Sequence, residues 1–384
     1  TVIVQSEKLD NLRLCVVLNL KFYGDQFMSN LLSPLEFSSG YSMKNRFMLA
    51  PLTNTQSYND GVLSLEEFKW LTMRAAGGFG VTMTCAAHVQ AIGQGFPGQL
   101  GIFSDKHIDG LARLSKEIRA NESMSICQIH HAGMRSPFDI IGEAPVCPSK
   151  NEKFGARALS IAEVRNLKED FIIAAIRAEQ AGFDGVEIHG AHGYIISQFL
   201  SSEINQRDDI YGGNLENRCR ILYEIIDGIR ARCSANFVLG VRLSPERFNM
   251  KLSEIKQLAE DLMVSGKIDF LDMSLWDVFK EPEEEEHKGD SLLSHFTKLK
   301  RANTKLGVAG KILTPQDAEK IMDSGVDWVM LGRAAIIQHN FPELYAADPG
   351  FEPVKTPVSR DYLASEGLST KFINYMSGWK GFVE

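Results

Sequence analysis

Residues 181–194 read AGFDGVEIHGAHGY, and this stretch carries the chain from the end of one element into the start of the next. A small residue and a glycine end a helix, a polar step follows, and the apolar run at 185–189 has the composition of a buried strand. The same junction recurs as SGKIDF at 265–270 and as SGVDWV at 324–329. A repeated turn from helix to strand indicates a chain built from successive strand and helix units.

Eight short apolar runs alternate with longer stretches of helical periodicity, which is typical of a parallel sheet whose strands are connected by helices. Because no linker or change in composition divides these runs into two groups, one closed barrel is favoured over two doubly wound domains. The predicted fold class is α/β, a single (β/α)8 TIM barrel. Its strands are predicted at 46–52, 80–87, 124–130, 185–189, 237–243, 269–274, 306–310 and 328–331.

The predicted units define three parts of the chain. We assign residues 41–345 to the barrel, residues 1–40 to an N-terminal extension and lead-in, and residues 346–384 to a C-terminal tail that packs on the barrel. Within the extension, the apolar stretch LRLCVVLNLKF at 12–22 is short, is interrupted by charged residues and has no small-residue cleavage site after it. It is therefore either a secretory signal or an extension that precedes a start at Met28.

Charge and cysteine content argue against several classes of function. Lys and Arg number 41 against 49 Asp and Glu, a net charge of −8, so a basic surface for nucleic acid or anionic membrane is not expected. No apolar run approaches the roughly 18 residues of a membrane span. The six cysteines are scattered and include no C-x-x-C pair, which argues against metal clusters and disulfides. We expect reduced thiols in a cytoplasmic protein that binds neither nucleic acid nor membrane.

In barrels of this kind the functional residues gather at the carboxyl ends of the strands. The last two predicted strands end with Gly310 and Lys311 and with Gly332 and Arg333. Glycine N–H groups, a helix N-terminus and the Arg333 guanidinium together would bind a phosphate dianion. The alternative is that the glycines only turn the chain and that Arg333 is solvated.

Strand four ends with two histidines and a tyrosine, His189, His192 and Tyr194. Two imidazoles three residues apart can both donate to one oxygen atom and polarise a carbonyl, and the phenol can supply a proton. Two histidines without a third ligand at suitable spacing make a weak metal site, so no metal is predicted. A purely structural role, with both rings bonded to neighbouring loops, stays open at this point.

Five motifs taken together resemble the Old Yellow Enzyme family of FMN-dependent ene reductases, over residues 45–342. They are NRFMLAPLT at 45–53, CQIHHAG at 127–133, VEIHGAHGYIISQFLSSEINQRDDIYGGNLENR at 186–218, GVRLSPE at 240–246 and MLGRAAI at 330–336. The resemblance implies the same barrel, with FMN lying across its carboxyl rim.

The resemblance also implies roles for individual residues. Thr53 is expected at the flavin O4 and N5 edge, Ala86 where the backbone approaches the ring, and Gln128 at the pyrimidine edge. Arg242 is expected near N1 and O2, where negative charge collects in the reduced flavin. The full set of expected cofactor-binding residues is Pro51, Leu52, Thr53, Ala86, Gln128, Arg242, Gly310, Lys311, Gly332 and Arg333.

The catalytic residues implied are His189 and His192, which grip a substrate carbonyl, and Tyr194, which donates a proton. The implied reaction takes hydride from NADH or NADPH and reduces the C=C bond of an α,β-unsaturated carbonyl compound, an enone-type small molecule. A homo-oligomer is compatible with the sequence. Two other functions on the same barrel stay open: a flavin-dependent amine demethylase or oxidase, and an FMN-binding protein without turnover.

The chain departs from the family pattern in three places. The family's His-Ala-Gly-Arg appears as HAGMR at 131–135, so the position of Arg135 is open. One residue is inserted at the end of strand seven, beside Lys311. No cysteine follows Cys233, which separates this chain from the iron–sulfur members of the family.

Overall fold

The computed structural model describes residues 30–384, and its centre is a closed ring of eight parallel strands. Each strand pairs with the next in chain order, and β8 pairs back onto β1 through Met330 and Met48. The predicted (β/α)8 barrel is thereby confirmed. The strands are β1 Phe47–Leu49, β2 Val81–Met83, β3 Met124–His130, β4 Gly185–Gly190, β5 Val238–Leu243, β6 Phe270–Ser274, β7 Lys305–Ala309 and β8 Trp328–Leu331.

All eight predicted strands are present, although two are much shorter than the apolar runs that predicted them. The run at 46–52 forms a strand only as far as Leu49, because Pro51 has no N–H to donate to a neighbouring strand. The run at 80–87 splits into β2 and a separate short strand, Ala87–His88, that pairs with β3. At both places the chain leaves the barrel early and so places loop residues at the carboxyl rim.

One main helix follows each barrel strand, and several of these helices begin at capping side chains. Two further short helices, Phe138–Ile141 and Ile195–Leu200, precede the main helices after β3 and β4. The hydroxyls of Ser64, Ser160 and Thr314 each accept a backbone N–H three residues on, and Glu163 and Asp317 complete capping boxes. The helix after β6 is a single turn, so a long loop covers that side of the rim. The helices are α1 Leu65–Ala76, α2 Ile108–Ala120, α3 Ile161–Gln180, α4 Leu215–Arg232, α5 Leu252–Val264, α6 Ser294–Thr297, α7 Pro315–Asp323 and α8 Arg333–Ile337.

The floor of the barrel is closed by a small antiparallel hairpin, Leu35–Glu36 with Ser42–Met43. Its Phe37 ring lies 6.3 Å from Phe270 and 5.9 Å from Trp328, both of which fill the barrel interior. Glycines make room for these two rings: a Cβ on Gly240 would lie 2.0 Å from the Phe270 ring. The lower half of the barrel is therefore a packed apolar core, which leaves the carboxyl rim for polar residues.

The C-terminal segment adds three helices, α9 Phe341–Ala347, α10 Arg360–Ser365 and α11 Thr370–Ser377. Phe372 of α11 packs edge-on against Trp70 of α1, with ring centroids 5.5 Å apart. The segment ends close to the rim, where Trp379 lines the cavity described below. The proposed division of the chain at residues 40 and 345 stays a prediction, and the apolar stretch at 12–22 lies outside the described residues.

Within residues 30–384, no helix combines the length and apolar character that crossing a membrane requires.

Candidate active site

A cavity of about 280 Å³ opens at the carboxyl rim, where the sequence predicted the functional residues. Eight of the predicted site residues line it, which shows that strand ends far apart in sequence meet here. The eight are Pro51, Leu52, His192, Arg242, Gly310, Lys311, Gly332 and Arg333. Ser274, Trp276 and Trp379 line it as well, and the sequence analysis did not assign these three to the site.

A larger cavity, of about 730 Å³, lies beside the first, between α7, α8 and the segment at 350–356. It shares Leu313 and Arg333 with the smaller cavity, but its lining contains neither the histidines nor Arg242. We assign the chemistry to the smaller cavity, because the charged and hydrogen-bonding groups converge there.

His189 and His192 lie in contact at the end of β4. The Ala191 N–H donates to Nδ1 of His189, so the proton of this neutral ring is on Nε2. That nitrogen lies 3.2 Å from Nδ1 of His192, and Nε2 of His192 lies 2.8 Å from the Ser274 hydroxyl. A substrate oxygen that accepts from both rings must therefore replace these two contacts.

Both imidazoles are neutral at physiological pH. Burial, together with the charge of Arg242, holds the pKa of His189 and of His192 well below the usual range, and each ring also feels a neighbouring histidine. A neutral ring still donates one hydrogen bond, so each histidine can stabilise a carbonyl oxygen that gains negative charge.

Tyr194 stands next to the two histidines, with its ring centroid 5.2 Å from that of His189. Burial raises the pKa of its phenol, and the opposing influence of Arg135 is smaller. The Arg135 guanidinium lies 4.9 Å from the Tyr194 ring centroid and donates to the His192 carbonyl at 2.5 Å. The residue inserted into the HAGMR segment therefore still leaves an arginine beside Tyr194.

Arg242 of β5 lies within the barrel, next to Asp272 of β6. The Arg242 Nε and Asp272 Oδ2 atoms are 2.9 Å apart, but the N–H is not aimed at this oxygen, so the contact is an ion pair without a well-aligned hydrogen bond. One Nη atom also approaches the Ser274 hydroxyl at 3.4 Å. Gln128 of β3 donates to Glu187 of β4 at 2.6 Å and keeps its Oε1 as an acceptor.

The far end of the cavity holds the predicted phosphate residues. At Gly332 a Cβ would meet only Leu52, at 3.5 Å, so the missing side chain leaves open space in front of Arg333. The helix that follows, α8, has only five residues, so its dipole contributes less than a full helix would. Lys311 directs its ammonium group to Asp277 at 2.7 Å, so part of its charge is already balanced.

These observations fit FMN. The cavity has a cation at each end, a half-buried Arg333 beside open space and a buried Arg242 whose Nε has no aligned acceptor. An anionic phosphate suits the first end, and a polar ring edge that gains negative charge suits the second. Gln128 and Arg242 would then hold the ring edge, while Gly310, Gly332 and Arg333 would hold the phosphate.

Five predicted residues lie outside the lining of this cavity: Thr53, Ala86, Gln128, His189 and Tyr194. For Thr53 and Ala86 the structure shows no contact with the groups described above. Ala86 follows β2, and its carbonyl accepts from the Gln99 amide at 2.7 Å. Thr53 is half-buried and directly precedes Asn54, which donates to the buried carboxyl of Glu67 at 2.9 Å. Their roles toward the flavin stay predictions.

Glu67, which holds the loop after β1 through Asn54 and Ser57, is expected to make the stability of the protein depend on pH. Burial raises its pKa from 4.5 to about 7, against the opposing hydrogen bonds of Asn54 and Ser57. Because the folded-state pKa is the higher one, the stability that this group contributes is fully present below pH 4.5 and is lost as the pH rises to about 7. We expect Glu67→Gln to escape this loss, a relative gain of roughly 3 kcal/mol between pH 4.5 and 8.

Urea unfolding of both proteins across this pH range measures the difference. Glu66→Gln removes an exposed carboxylate from the same helical turn and is the matched control, for which no such gain is expected. If the difference in unfolding free energy between Glu67→Gln and the parent is the same at pH 4.5 and at pH 8, then Glu67 is ionised in the folded protein.

The sequence analysis missed four residues of the site and its surroundings. Glu187 and Asp272 are acidic residues in the middle of apolar strands, a pattern that signals a buried charge with a partner. Ser274 is the last residue of β6 and could have been found by the same rule as the histidines. Trp379 gave no local signal, because it reaches the cavity only through the packing of the C-terminal helices.

Comparisons with known proteins identify relatives of this chain. The sequence model of the NADH:flavin oxidoreductase / NADH oxidase family matches residues 30–347. The probable NADH-dependent flavin oxidoreductase YqiG of Bacillus subtilis is 34% identical over 322 residues, which cover 81% of this chain and 86% of that protein. The NADPH dehydrogenase of Bacillus pumilus is 32% identical over 325 residues, covering 80% and 92%.

Among solved structures, the Old Yellow Enzyme homologue of Zymomonas mobilis superimposes with a TM-score of 0.76 at 25% identity, covering 90% of this chain and 99% of that one. The expected resemblance, the FMN cofactor and the NAD(P)H donor are thereby confirmed. The chain belongs to the NADH:flavin oxidoreductase / NADH oxidase family.

Proposed function

We propose that this protein is an ene reductase, which uses NAD(P)H and FMN to reduce the C=C bond of α,β-unsaturated carbonyl compounds. The observation that carries the proposal is the neutral pair His189 and His192 next to Tyr194, on the rim of a cavity that also holds Arg242. When bound, FMN supplies a two-electron carrier that accepts hydride from the nicotinamide and delivers it to the carbon β to a carbonyl.

The side chains of this site do the rest. Nε2–H groups of His189 and His192 donate to the carbonyl oxygen and stabilise the negative charge that develops there. Tyr194 gives its phenolic proton to the α-carbon, so that one hydride and one proton are added across the double bond. Arg135, placed over the Tyr194 ring, stabilises the negative charge left on the phenolate.

The substrate class, location and assembly are part of the proposal. A small enone-type molecule is supported by His189 and His192, whose rings lie in contact and can both donate to a carbonyl oxygen. A cytoplasmic location is supported by the cysteines of the described residues, all five of which are free thiols. A homo-oligomer stays a proposal that the oligomeric state in solution tests.

The test is an anaerobic titration of the FMN-loaded protein. We expect the purified protein to be yellow, to be bleached by NADH or NADPH, and to regain its colour when cyclohexenone is added. Bleaching without reoxidation by any enone, combined with activity toward an N-methyl amine, would establish the demethylase alternative instead. A protein that binds FMN and reacts with neither substrate would be the binding protein without turnover.

Tyr194→Phe separates the proton-donating step from the others. Because the phenol protonates the substrate and is not needed to reduce the cofactor, we expect enone turnover to fall by roughly 10²-fold or more. Bleaching by NAD(P)H should stay within about twofold of the parent rate, since that step needs no proton from Tyr194. Stopped-flow absorbance measures the two half-reactions separately, and an equal loss in both would argue against Tyr194 as the donor.

A further inference from the structure

Two acidic side chains lie in contact inside the barrel, below the residues expected to hold the flavin. Glu187 of β4 and Asp272 of β6 are both fully buried. Their carboxyl groups come within hydrogen-bonding reach of each other, from strands that flank β5. Two carboxylates in contact repel each other, so this arrangement is stable only if something compensates for one of the charges.

Each acid also contacts one of the expected flavin-binding residues. The amide nitrogen of Gln128 donates to Oε1 of Glu187 at 2.6 Å, and the Arg242 guanidinium pairs with Oδ2 of Asp272 at 2.9 Å. The first contact determines which end of the Gln128 amide remains free, and the second determines where the Arg242 cation lies. Glu187 and Asp272 are therefore positioning residues for the pyrimidine edge.

The carboxyl oxygens of the pair that lack a hydrogen-bond donor indicate that the two groups share a proton. Within the described part of the chain, Oε2 of Glu187 and both carboxyl oxygens of Asp272 have no well-aligned hydrogen-bond donor. Buried oxygens without donors are rare in native proteins. A proton on Oε2 of Glu187 would convert it into a donor to Asp272 and satisfy both groups at once.

The charges around the pair lead to the same result. The groups that contact the pair are Gln128 from β3 and Arg242 from β5, and Arg242 is the one cation of the two. His189 and the nearby His192 are neutral. One guanidinium with two ionised acids would leave a buried negative charge unpaired, which is strongly unfavourable, whereas one ionised acid balances it.

We propose that Glu187 and Asp272 hold one proton between them, and that this shared proton orients Gln128 and leaves Arg242 balanced by a single negative charge. The proposal rests on the proposed function in one respect, that Gln128 and Arg242 face the flavin. The direction of titration is consistent with it, because burial and the neighbouring Asp272 hold the pKa of Glu187 well above its usual range. Burial likewise raises the pKa of Asp272, although Arg242 opposes the shift.

The first test detects the proton directly, by infrared spectroscopy at pH 7 with and without FMN. Every protein compared carries Glu67→Gln, which removes the other buried carboxyl group that is partly protonated at this pH. We expect the carbonyl stretch of a protonated carboxyl group, which shifts in D₂O. This band should disappear in Glu187→Gln and also in Asp272→Asn, because a single remaining acid ionises beside Arg242. Absence of the band in the parent protein, or its survival in Asp272→Asn, would overturn the proposal.

The second test measures the reduction potential of bound FMN at pH 7 by dye equilibration. Each single variant, Glu187→Gln or Asp272→Asn, keeps one negative charge beside Arg242, so the ratio of reduced to oxidised flavin should change by no more than about twofold. The double variant leaves Arg242 unbalanced and should raise that ratio at least tenfold, about 30 mV for a two-electron couple. A tenfold rise in Glu187→Gln alone would show that both acids are ionised in the parent.

Asp184→Asn is the matched control. Asp184 is a buried acid directly before β4, and its carboxylate accepts a hydrogen bond from the Ser125 hydroxyl. It should change neither the infrared band nor the potential. The infrared result in FMN-free protein does not depend on the cofactor or on turnover. Failure of the shared proton and failure of the ene reductase function are therefore distinguishable.

Discussion

Replacing His189 and His192 together by alanine is expected to lower kcat/KM for an enone by 10²-fold or more. Removal of a single preorganised donor to a developing oxyanion typically costs on the order of 10²–10³-fold in rate. Here both donors come from one strand end and their rings lie in contact, so the double substitution leaves no donor of this pair. Steady-state kinetics under anaerobic conditions, at saturating NAD(P)H, measures the loss.

His192→Asn is the matched control, because an amide also donates a hydrogen bond. It should retain much more activity than His192→Ala, and the rate of FMN bleaching by NAD(P)H indicates whether the cofactor site is intact. Enone turnover that is unchanged by the double alanine substitution would contradict the assignment and would assign the two histidines a structural role.

Arg242→Met is expected to destabilise the FMN-free protein by about 3–5 kcal/mol at pH 8, the usual cost of leaving a buried charge without its partner. Asp272 is fully buried and its carboxylate lies 2.9 Å from the guanidinium. The loss should be smaller at pH 5, because without the cation the pKa of Asp272 rises further and the carboxyl group can take up a proton as the pH falls. Urea unfolding at the two pH values measures both effects.

Adding Asp272→Asn to Arg242→Met should recover part of the lost stability, since the unpaired charge is then removed. Arg135→Met, which removes an exposed cation from the same rim, is the control and should stay within about 1 kcal/mol of the parent. A loss at pH 8 that the second substitution does not reduce would mean that the Arg242 side chain contributes through packing alone.

The barrel was predictable because its signals are local. Each strand is a short apolar run, and three of the junctions share the pattern seen at 181–186, so the strands could be counted without any knowledge of which ones pair. The His189 and His192 pair was predictable for the same reason, since it follows directly from a strand end. The predicted strand lengths were less accurate, because the first two strands end before Pro51 and after Met83, earlier than hydrophobicity alone indicates.

The contacts between elements distant in sequence were not predictable. Glu187 and Asp272 meet across β5, and no sequence feature near either residue predicts its contact with the other. The direction of the Lys311 side chain depends on Asp277 in the preceding loop. These interactions depend on how the strands are staggered around the ring, and that stagger is a property of the closed sheet.

The position of Trp379 has a consequence for how ligand binding can be observed. Of the four tryptophans, Trp70 and Trp328 are 1% exposed in the apolar core, whereas Trp276 and Trp379 are 60% and 43% exposed and line the cavity. Tryptophan emission overlaps flavin absorption, and energy transfer between them weakens steeply with distance. Binding of FMN should therefore quench the fluorescence of Trp276 and Trp379 more strongly than that of the two buried tryptophans. The intrinsic fluorescence of the protein thus reports cofactor binding.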